Sequence, residues 1–120
     1  MAVPILKQGP YLIATVQSAL TDADLVRLRD DLATQVGKLR ARGVIVDVTS
    51  LDVMDSFAAR TLRSIAHITG LRGAQTVIVG IQPDVAFAMV QLGLTLEGVA
   101  TALDLEEGLA LLQIQARRHG

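Results

Sequence analysis

The chain has 120 residues, of which 51% are hydrophobic, and its formal net charge is −1. This length and composition predict one domain with a substantial apolar core, and they exclude intrinsic disorder. The nearly balanced charge argues against an electrostatic grip on nucleic acid or on an acidic membrane. There is no cysteine, and the only histidines are His67 and His119. We therefore expect neither disulfides nor a metal site.

No apolar run approaches the roughly 18–20 residues that a membrane-spanning helix needs. The first ten residues, MAVPILKQGP, lack the basic start and the apolar stretch of a signal peptide. We therefore expect a cytoplasmic protein in which residues 1–120 form a single domain.

The first predicted elements are two short strands and a long helix. Residues 3–8 and 11–17 are apolar segments separated by Gly9-Pro10, which indicates a hairpin-like turn. Leucine and valine then recur at helical spacing over residues 22–42. Thr21 is the expected N-cap of this helix, and Gly43 the expected left-handed cap at its other end.

The remaining elements alternate between strands and helices. Their predicted order along the chain is a strand at 43–48, a helix at 56–70, a strand at 76–81, a helix at 83–92, a strand near 98–102 and a helix from 104. The complete order, ββαβαβαβα, predicts an α/β fold with a mixed, mostly parallel sheet and four helices. The first strand is the expected antiparallel edge.

Loops at the carboxyl ends of parallel strands usually hold the functional site. In this chain those loops are 49–56 and 80–83, together with the start of the first helix near 18–22. We also expect a less polar contact region around the first two strands, which includes Ile5 and Ile13.

No motif of catalysis is present in the sequence. There is no phosphate-binding GxxxxGK[ST] loop, no GxGxxG turn and no G-x-S-x-G elbow. His67 follows Arg60 and Arg63 on one side of its predicted helix, which is typical of a solvated face. We therefore expect no catalytic residue, no cofactor and no enzymatic activity.

Asp47 ends an apolar strand, where receiver domains carry their phosphoacceptor. Such domains also need an acidic pair after the first strand and a late lysine, but here no lysine follows Lys38. The favoured interpretation is a carboxylate that accepts hydrogen bonds from the 49–56 loop and fixes its shape.

Asp55 and Ser56 stand where that loop meets the second helix. Both residue types are favoured helix N-caps, so capping alone explains the pair. A hydroxyl at a helix N-terminus is also a suitable phosphoacceptor, because the backbone N–H groups and the dipole tolerate added negative charge. The residues leave both interpretations open, and Phe57 is either a core residue or an exposed contact.

The segment 46–57, VDVTSLDVMDSF, resembles the signature of STAS domains, the family of bacterial anti-sigma factor antagonists. That signature is an apolar strand ending in Asp, a short loop, and Asp-Ser or Asp-Thr opening a helix. Gly80-Ile-Gln-Pro83 extends the likeness to the RsbS-type subgroup, the single-domain scaffold of the stressosome. Three further segments of the same subgroup pattern are 4–7, 91–93 and 101–106.

This resemblance implies a STAS (SpoIIAA-like) fold with helices on one face of the sheet, and a scaffold without catalytic activity. It implies assembly with RsbR-type STAS paralogues, sequestration of an RsbT-type serine/threonine kinase, phosphorylation of Ser56 and its reversal by an RsbX-type phosphatase. The partner-binding or switch positions would be Asp47, Asp55, Phe57, Gly80 and Gln82.

RsbR-type paralogues carry a further phosphorylatable Thr at the start of the first helix. The matching position here is Asp22, which a serine/threonine kinase cannot modify, although a shift of one residue would make Thr21 the candidate. Two other functions stay open: a SpoIIAA-type antagonist that binds an anti-sigma kinase directly, and a STAS module that binds a small ligand or lipid.

Overall fold

The computed structural model describes residues 3–119, and these form a five-stranded sheet with four helices. The elements are β1 (Ile5–Gln8), β2 (Tyr11–Thr15), α1 (Asp22–Leu39), β3 (Gly43–Asp47), α2 (Ser56–Leu71), β4 (Gln75–Val79), α3 (Pro83–Gln91), β5 (Ala100–Ala102) and α4 (Leu105–His119). The order predicted from the sequence is confirmed.

The strands lie side by side in the order β1-β2-β3-β4-β5. β1 pairs with β2 antiparallel, and every later pair is parallel. One row of the sheet joins Ile13, Ile45 and Val77. The mostly parallel sheet with an antiparallel edge is therefore confirmed, and it places the carboxyl ends of β2, β3 and β4 at one edge.

Both faces of the sheet carry helices, so the expectation of a single covered face is wrong. On one face, Leu12, Val46 and Ile78 belong to a core shared with α1 and α2. On the other, Ile45 and Val77 pack with Leu112 of α4. The reason is that β3 and β4 have apolar side chains at successive positions, which point to opposite faces and must both be buried.

α1 ends earlier than the sequence predicts, and its left-handed cap is not a glycine. Arg40 adopts that conformation with φ of 50°, and its N–H bonds to the carbonyl of Val36. Gly43 is instead the first residue of β3. A Cβ at Gly43 would lie 2.8–2.9 Å from side-chain atoms of Leu112 and Tyr11, so this glycine is needed for packing between the sheet and α4.

The start of α1 is capped as predicted. Thr21 Oγ1 accepts a hydrogen bond of 3.1 Å from the N–H of Asp24, and the Thr21 N–H donates one of 3.0 Å to Asp24 Oδ2. This reciprocal capping box satisfies backbone donors that the helix leaves without partners.

The capping box predicts a measurable acid sensitivity. The backbone hydrogen bond from Thr21 lowers the pKa of Asp24 from 3.8 to about 2. Because this carboxylate is stabilised in the folded state, its contribution to stability is complete above pH 3.8 and is lost as the pH falls towards about 2. Carbon-detected NMR titration should give that pKa, and Asp24→Asn should flatten the pH dependence of unfolding in this window. An ordinary carboxyl pKa in the folded protein would contradict the prediction.

The expected contact region around the first two strands stays a prediction, but the two residues named for it are not free surface residues. Ile13 is only 7% exposed, and Ile5 packs partly buried against the core, although Leu6 of β1 is 67% exposed. Large exposed apolar side chains instead concentrate on α3 and the segments beside it. Four of them are 68–80% exposed: Phe87, Val90, Leu92 and Leu103.

Candidate functional site

The candidate site is the loop of residues 48–55, which joins β3 to α2 at the carboxyl edge of the parallel strands. Backbone hydrogen bonds fix its first residue in the sheet. The N–H of Val48 bonds to the carbonyl of Val79 at 3.0 Å, and the N–H of Val16 bonds to the carbonyl of Asp47 at 2.9 Å. The loop therefore starts from a rigid point between two neighbouring strands.

Asp47 shapes the loop through its side chain. Its Oδ1 accepts hydrogen bonds from the N–H of Thr49 at 2.9 Å and from Thr49 Oγ1 at 2.6 Å. This local arrangement is an Asx-type turn, in which the carboxylate replaces a backbone partner. The interpretation of Asp47 as a loop-shaping carboxylate agrees with these contacts.

The middle of the loop has alternating anchored and exposed residues. Leu51 and Met54 are 9% and 4% exposed and belong to the core, whereas Val53 is 72% exposed. Asp52 and Asp55 are also exposed. The two anchors therefore hold the loop against the protein while an apolar side chain and two carboxylates face solvent.

Ser56 is the first residue of α2, and it is exposed. The N-cap is Asp55, whose Oδ1 accepts a hydrogen bond of 2.8 Å from the N–H of Ala58. Because Asp55 performs the capping, the Ser56 hydroxyl is not needed for it. Phe57 is partly buried and packs against the core, so its ring is mainly structural.

The loop between β4 and α3 is bound to the 48–55 loop. Gln82 Nε2 donates hydrogen bonds to the carbonyl oxygen of Thr49 at 2.6 Å and to Asp52 Oδ1 at 3.2 Å. Gly80 has φ of +82°, and a Cβ there would overlap Thr49 Oγ1. The missing side chain of Gly80 and the long side chain of Gln82 together allow the two loops to pack closely. The sequence analysis predicted that Gly80 and Gln82 lie at this edge of the sheet, but it did not predict their contacts with Thr49 and Asp52.

Two exposed residues at the site were missed by the sequence analysis. Arg60 Nε donates a hydrogen bond of 3.3 Å to the carbonyl oxygen of Ser56, which places a cation one helical turn from the hydroxyl. The sequence could have indicated this, because Arg60 is four residues after Ser56 and residues at that spacing are neighbours on a helix surface. Val53 was missed because an apolar residue in a short loop is as consistent with burial as with exposure.

Other predicted positions lie apart from this arrangement. Thr21 is the N-cap of α1, as its side-chain and backbone hydrogen bonds show. Of the side chains that the structure describes, no three His, Asp or Glu residues are grouped so as to hold a metal ion. Among the described helices, none is both long and apolar enough to cross a membrane.

The site consists of an apolar strand that ends in Asp and an anchored loop that leads to Asp-Ser at the start of a helix. A comparison with known protein families agrees with this arrangement. Residues 2–108 match the STAS domain family. The chain belongs to the STAS family. The STAS fold is therefore established for it, and the sequence-based identification is confirmed.

Three comparisons narrow the position of this STAS domain within the family. It is 34% identical to a serine-to-glutamate variant of RsbS from Moorella thermoacetica, with a TM-score of 0.82 and coverage of 96% of this chain and 97% of that one. It is 35% identical to a chain from the molecular architecture of the stressosome, described as a signal integration and transduction hub, with a TM-score of 0.80 and coverage of 95% and 99%. It is also 31% identical over 83 residues to the RsbT co-antagonist protein RsbRA of Bacillus subtilis.

The lengths of these relatives differ. The alignment with RsbRA covers 69% of this chain but only 30% of RsbRA, and the two other curated relatives are covered to 33% and 29%. The chain therefore spans about a third of its curated relatives. By contrast, the RsbS and stressosome chains are matched over nearly their whole length.

Proposed function

We propose that this STAS protein is a phosphorylatable scaffold of a stressosome-type complex. It holds an RsbT-type serine kinase and releases it when Ser56 is phosphorylated. The observation that carries the proposal is the exposed Ser56 hydroxyl, which stands at the first position of α2 with the capping already performed by Asp55. The near full-length similarity to RsbS and to a stressosome chain supports this type of complex.

A phosphate on Ser56 fits the helix but changes the surface around it. The N-terminus of α2 and the Arg60 side chain both favour a negative charge at this point. Asp55 and the exposed Asp52 oppose it. Because the helix terminus offsets this repulsion, we expect the fold to persist while a partner contact that excludes water is lost.

The kinase contact follows from what the loop exposes. Val53, three residues before Ser56, is 72% exposed and offers apolar area to a partner. A partner that covers both residues would desolvate the Ser56 hydroxyl. Adding roughly −1.5 to −2 charges there would leave charge buried in the interface without a partner. Phosphorylation therefore acts on the partner contact and leaves the domain itself folded.

The rest of the proposal concerns assembly and turnover. The chain acts in the cytoplasm as a single STAS domain without catalytic activity, and it assembles with RsbR-type STAS paralogues. An RsbX-type phosphatase returns Ser56 to its unmodified state. Asp47, Gly80 and Gln82 contribute by fixing the 48–55 loop, and Phe57 by packing the start of α2 on the core.

The proposal is tested by mixing the purified chain with an RsbR-type paralogue and an RsbT-type kinase. Particle mass and kinase retention are measured before and after ATP is added, and the phosphate is located by peptide mass spectrometry. We expect a large particle that retains the kinase, and kinase release accompanied by phosphate on Ser56. Phosphate on Thr49, Ser50 or Thr21 with Ser56 unmodified would refute the site. A binary complex with the kinase and no large particle would instead support the SpoIIAA-type function.

A further inference from the structure

Among the described residues, a group of highly exposed apolar side chains lies on α3 and after β5, outside the 48–55 loop. Phe87 and Val90 project from α3 with exposures of 68% and 80%, and Leu103 follows β5 with an exposure of 76%. The chain has only three aromatic residues, so exposing one of them on a short helix is unexpected for a surface with no partner.

Val90 and Leu103 line an open groove of about 500 Å³ between α3 and the β5–α4 connection, and Phe87 belongs to the same helix as Val90. The apolar lining of the groove consists mainly of Ile81, Met89, Val90, Leu94, Leu96 and Leu103. β5 is the edge strand of the sheet, but its three residues offer little backbone to an added strand, and the groove beside it is lined mainly by apolar residues. The groove therefore suits the apolar face of a helix better than an added strand.

The charged side chain that lines the groove is acidic. No Lys, Arg or His occurs between Gly73 and Ala116, and Glu107 lines the groove itself. Three further carboxylates belong to the starts of the helices that border it, namely Asp84, Asp104 and Glu106.

A fifth carboxylate, Glu97, lies in a separate depression with Arg63 and His67. Arg63 is the cation that reaches this part of the chain from α2, and its Nη1 donates a hydrogen bond of 2.6 Å to the carbonyl oxygen of Thr95. The groove thus combines an apolar floor with carboxylates on its α4 side, while Arg63 lies at Thr95, between the lining residues Leu94 and Leu96.

We propose that this groove, between α3 and the β5–α4 connection, is a docking site for a cationic amphipathic helix of a partner protein. An apolar floor accepts anchors at i, i+3 or i+4 and i+7, while the carboxylates on the α4 side attract Lys and Arg on a flank of the same helix. The same carboxylates repel anionic lipid headgroups and nucleic-acid phosphates. Charge complementarity therefore selects a protein helix over a membrane surface or a nucleic acid.

The groove adjoins the phosphorylation site at the 80–82 loop, because Ile81 lines the groove while Gly80 and Gln82 pack against the 48–55 loop. Its lining includes no residue of the 48–55 loop. Val90 lies eight residues after Gln82, roughly 12 Å along the axis of α3 at the usual helical rise. Binding there does not depend on Ser56, so this inference stands apart from the proposed function.

The test uses the full chain and two synthetic helical peptides with leucines at the same heptad spacing. One peptide has lysine on its polar face and the other has glutamate. Amide chemical shifts locate binding, and Kd is measured at low and high salt. We expect the lysine peptide to perturb residues 81–107 and to bind more weakly in salt, and the glutamate peptide to bind far more weakly.

Variants separate groove binding from general attraction. Replacing both Val90 and Leu103 by serine should raise Kd about tenfold or more, because it removes two apolar anchors. The control is Leu71→Ser, since Leu71 and Leu103 are both 76% exposed and Leu71 lies outside the groove. It should leave Kd unchanged within about twofold. Circular dichroism verifies that each variant is folded.

Several results would overturn the docking site. These are shifts that map elsewhere, equal affinity for the two peptides, unchanged affinity in the double variant, or no detectable binding. Binding of an alternating leucine–lysine strand peptide in place of the helical one would indicate strand addition. Binding to anionic vesicles in place of the peptides would indicate a lipid surface. Ser56→Ala should bind the lysine peptide like the unmodified chain, so failure of the proposed function would leave this result intact.

Discussion

Replacing Ser56 by alanine is expected to leave the protein folded and to hold the RsbT-type kinase permanently, even with ATP present. The substitution removes the proposed phosphoacceptor but not the helix cap, because the N–H of Ala58 is bonded to Asp55. Unfolding free energy should therefore change by less than about 0.5 kcal/mol. Kinase retention after ATP addition, measured by size-exclusion chromatography, should stay at its starting level. In the unmodified chain, kinase retention should fall about tenfold or more, because the phosphate places an unpaired charge in the buried contact with the kinase.

The matched control is Ser50→Ala, which removes another exposed hydroxyl from the same loop. This variant should release the kinase as the unmodified chain does. Ser56→Asp should remain folded and bind the kinase more weakly, although one carboxylate imitates a phosphate poorly. Release of the kinase from Ser56→Ala upon addition of ATP would rule out the proposed mechanism.

A second variant tests the role assigned to Arg60. With Arg60→Gln, phosphorylation of Ser56 should become more destabilising by about 0.2–1 kcal/mol, the usual size of an exposed charge pair. The comparison is a double-mutant cycle in which unfolding is measured with and without phosphate. If phosphorylation changes the unfolding free energy equally in the chain with Arg60 and in the Arg60→Gln variant, Arg60 does not contact the phosphate.

Replacing Gly80 by alanine is expected to be the most destabilising single change at the site. Gly80 has φ of +82°, which any L-residue with a Cβ adopts at a cost of roughly 1–2 kcal/mol. Its new Cβ would also overlap Thr49 Oγ1, the atom that donates to Asp47. Displacing this hydroxyl should add about 1–2 kcal/mol, because a hydrogen bond to a charged group is lost. Urea unfolding monitored by circular dichroism gives the total.

Gly98→Ala is the matched control for the backbone strain. Gly98 has φ of +79°, and a Cβ there would meet no heavy atom within 4 Å. The difference between the two variants therefore isolates the contact with Thr49. Adding Thr49→Ala to Gly80→Ala should recover part of that difference, since the smaller side chain makes room. Equal losses in Gly80→Ala and Gly98→Ala would disprove the steric account of the loop packing.

The order of elements and the nature of the sheet could be predicted because they depend on local patterns. Runs of β-branched residues identified β3 and β4, and leucines at helical spacing identified α1. The capping of α1 by Thr21 depends on hydrogen bonds across three residues, and the Asp47 turn on hydrogen bonds across two. Ser56 could be placed for the same reason, since Asp55 and Ser56 follow one another at a helix start.

Other features depended on residues that are distant in the chain. The left-handed cap of α1 is Arg40, whereas Gly43 begins β3, where Tyr11 and Leu112 leave no space for a Cβ. Neither neighbour is close to Gly43 in sequence. The second face of the sheet is covered because α4 packs against it, and no local sequence pattern specifies which face a helix covers.

The sequence by itself determined the fold class, the position of the 48–55 loop at the carboxyl edge, and the exposed serine at the start of α2. These follow from periodicity, chain order and caps, which act over a few residues. Only the tertiary structure decided how that loop is held, through Gln82 and Thr49, which are 33 residues apart. It also decided that α3 and the β5–α4 connection form an apolar groove, because a surface made by separate elements exists only once those elements have packed.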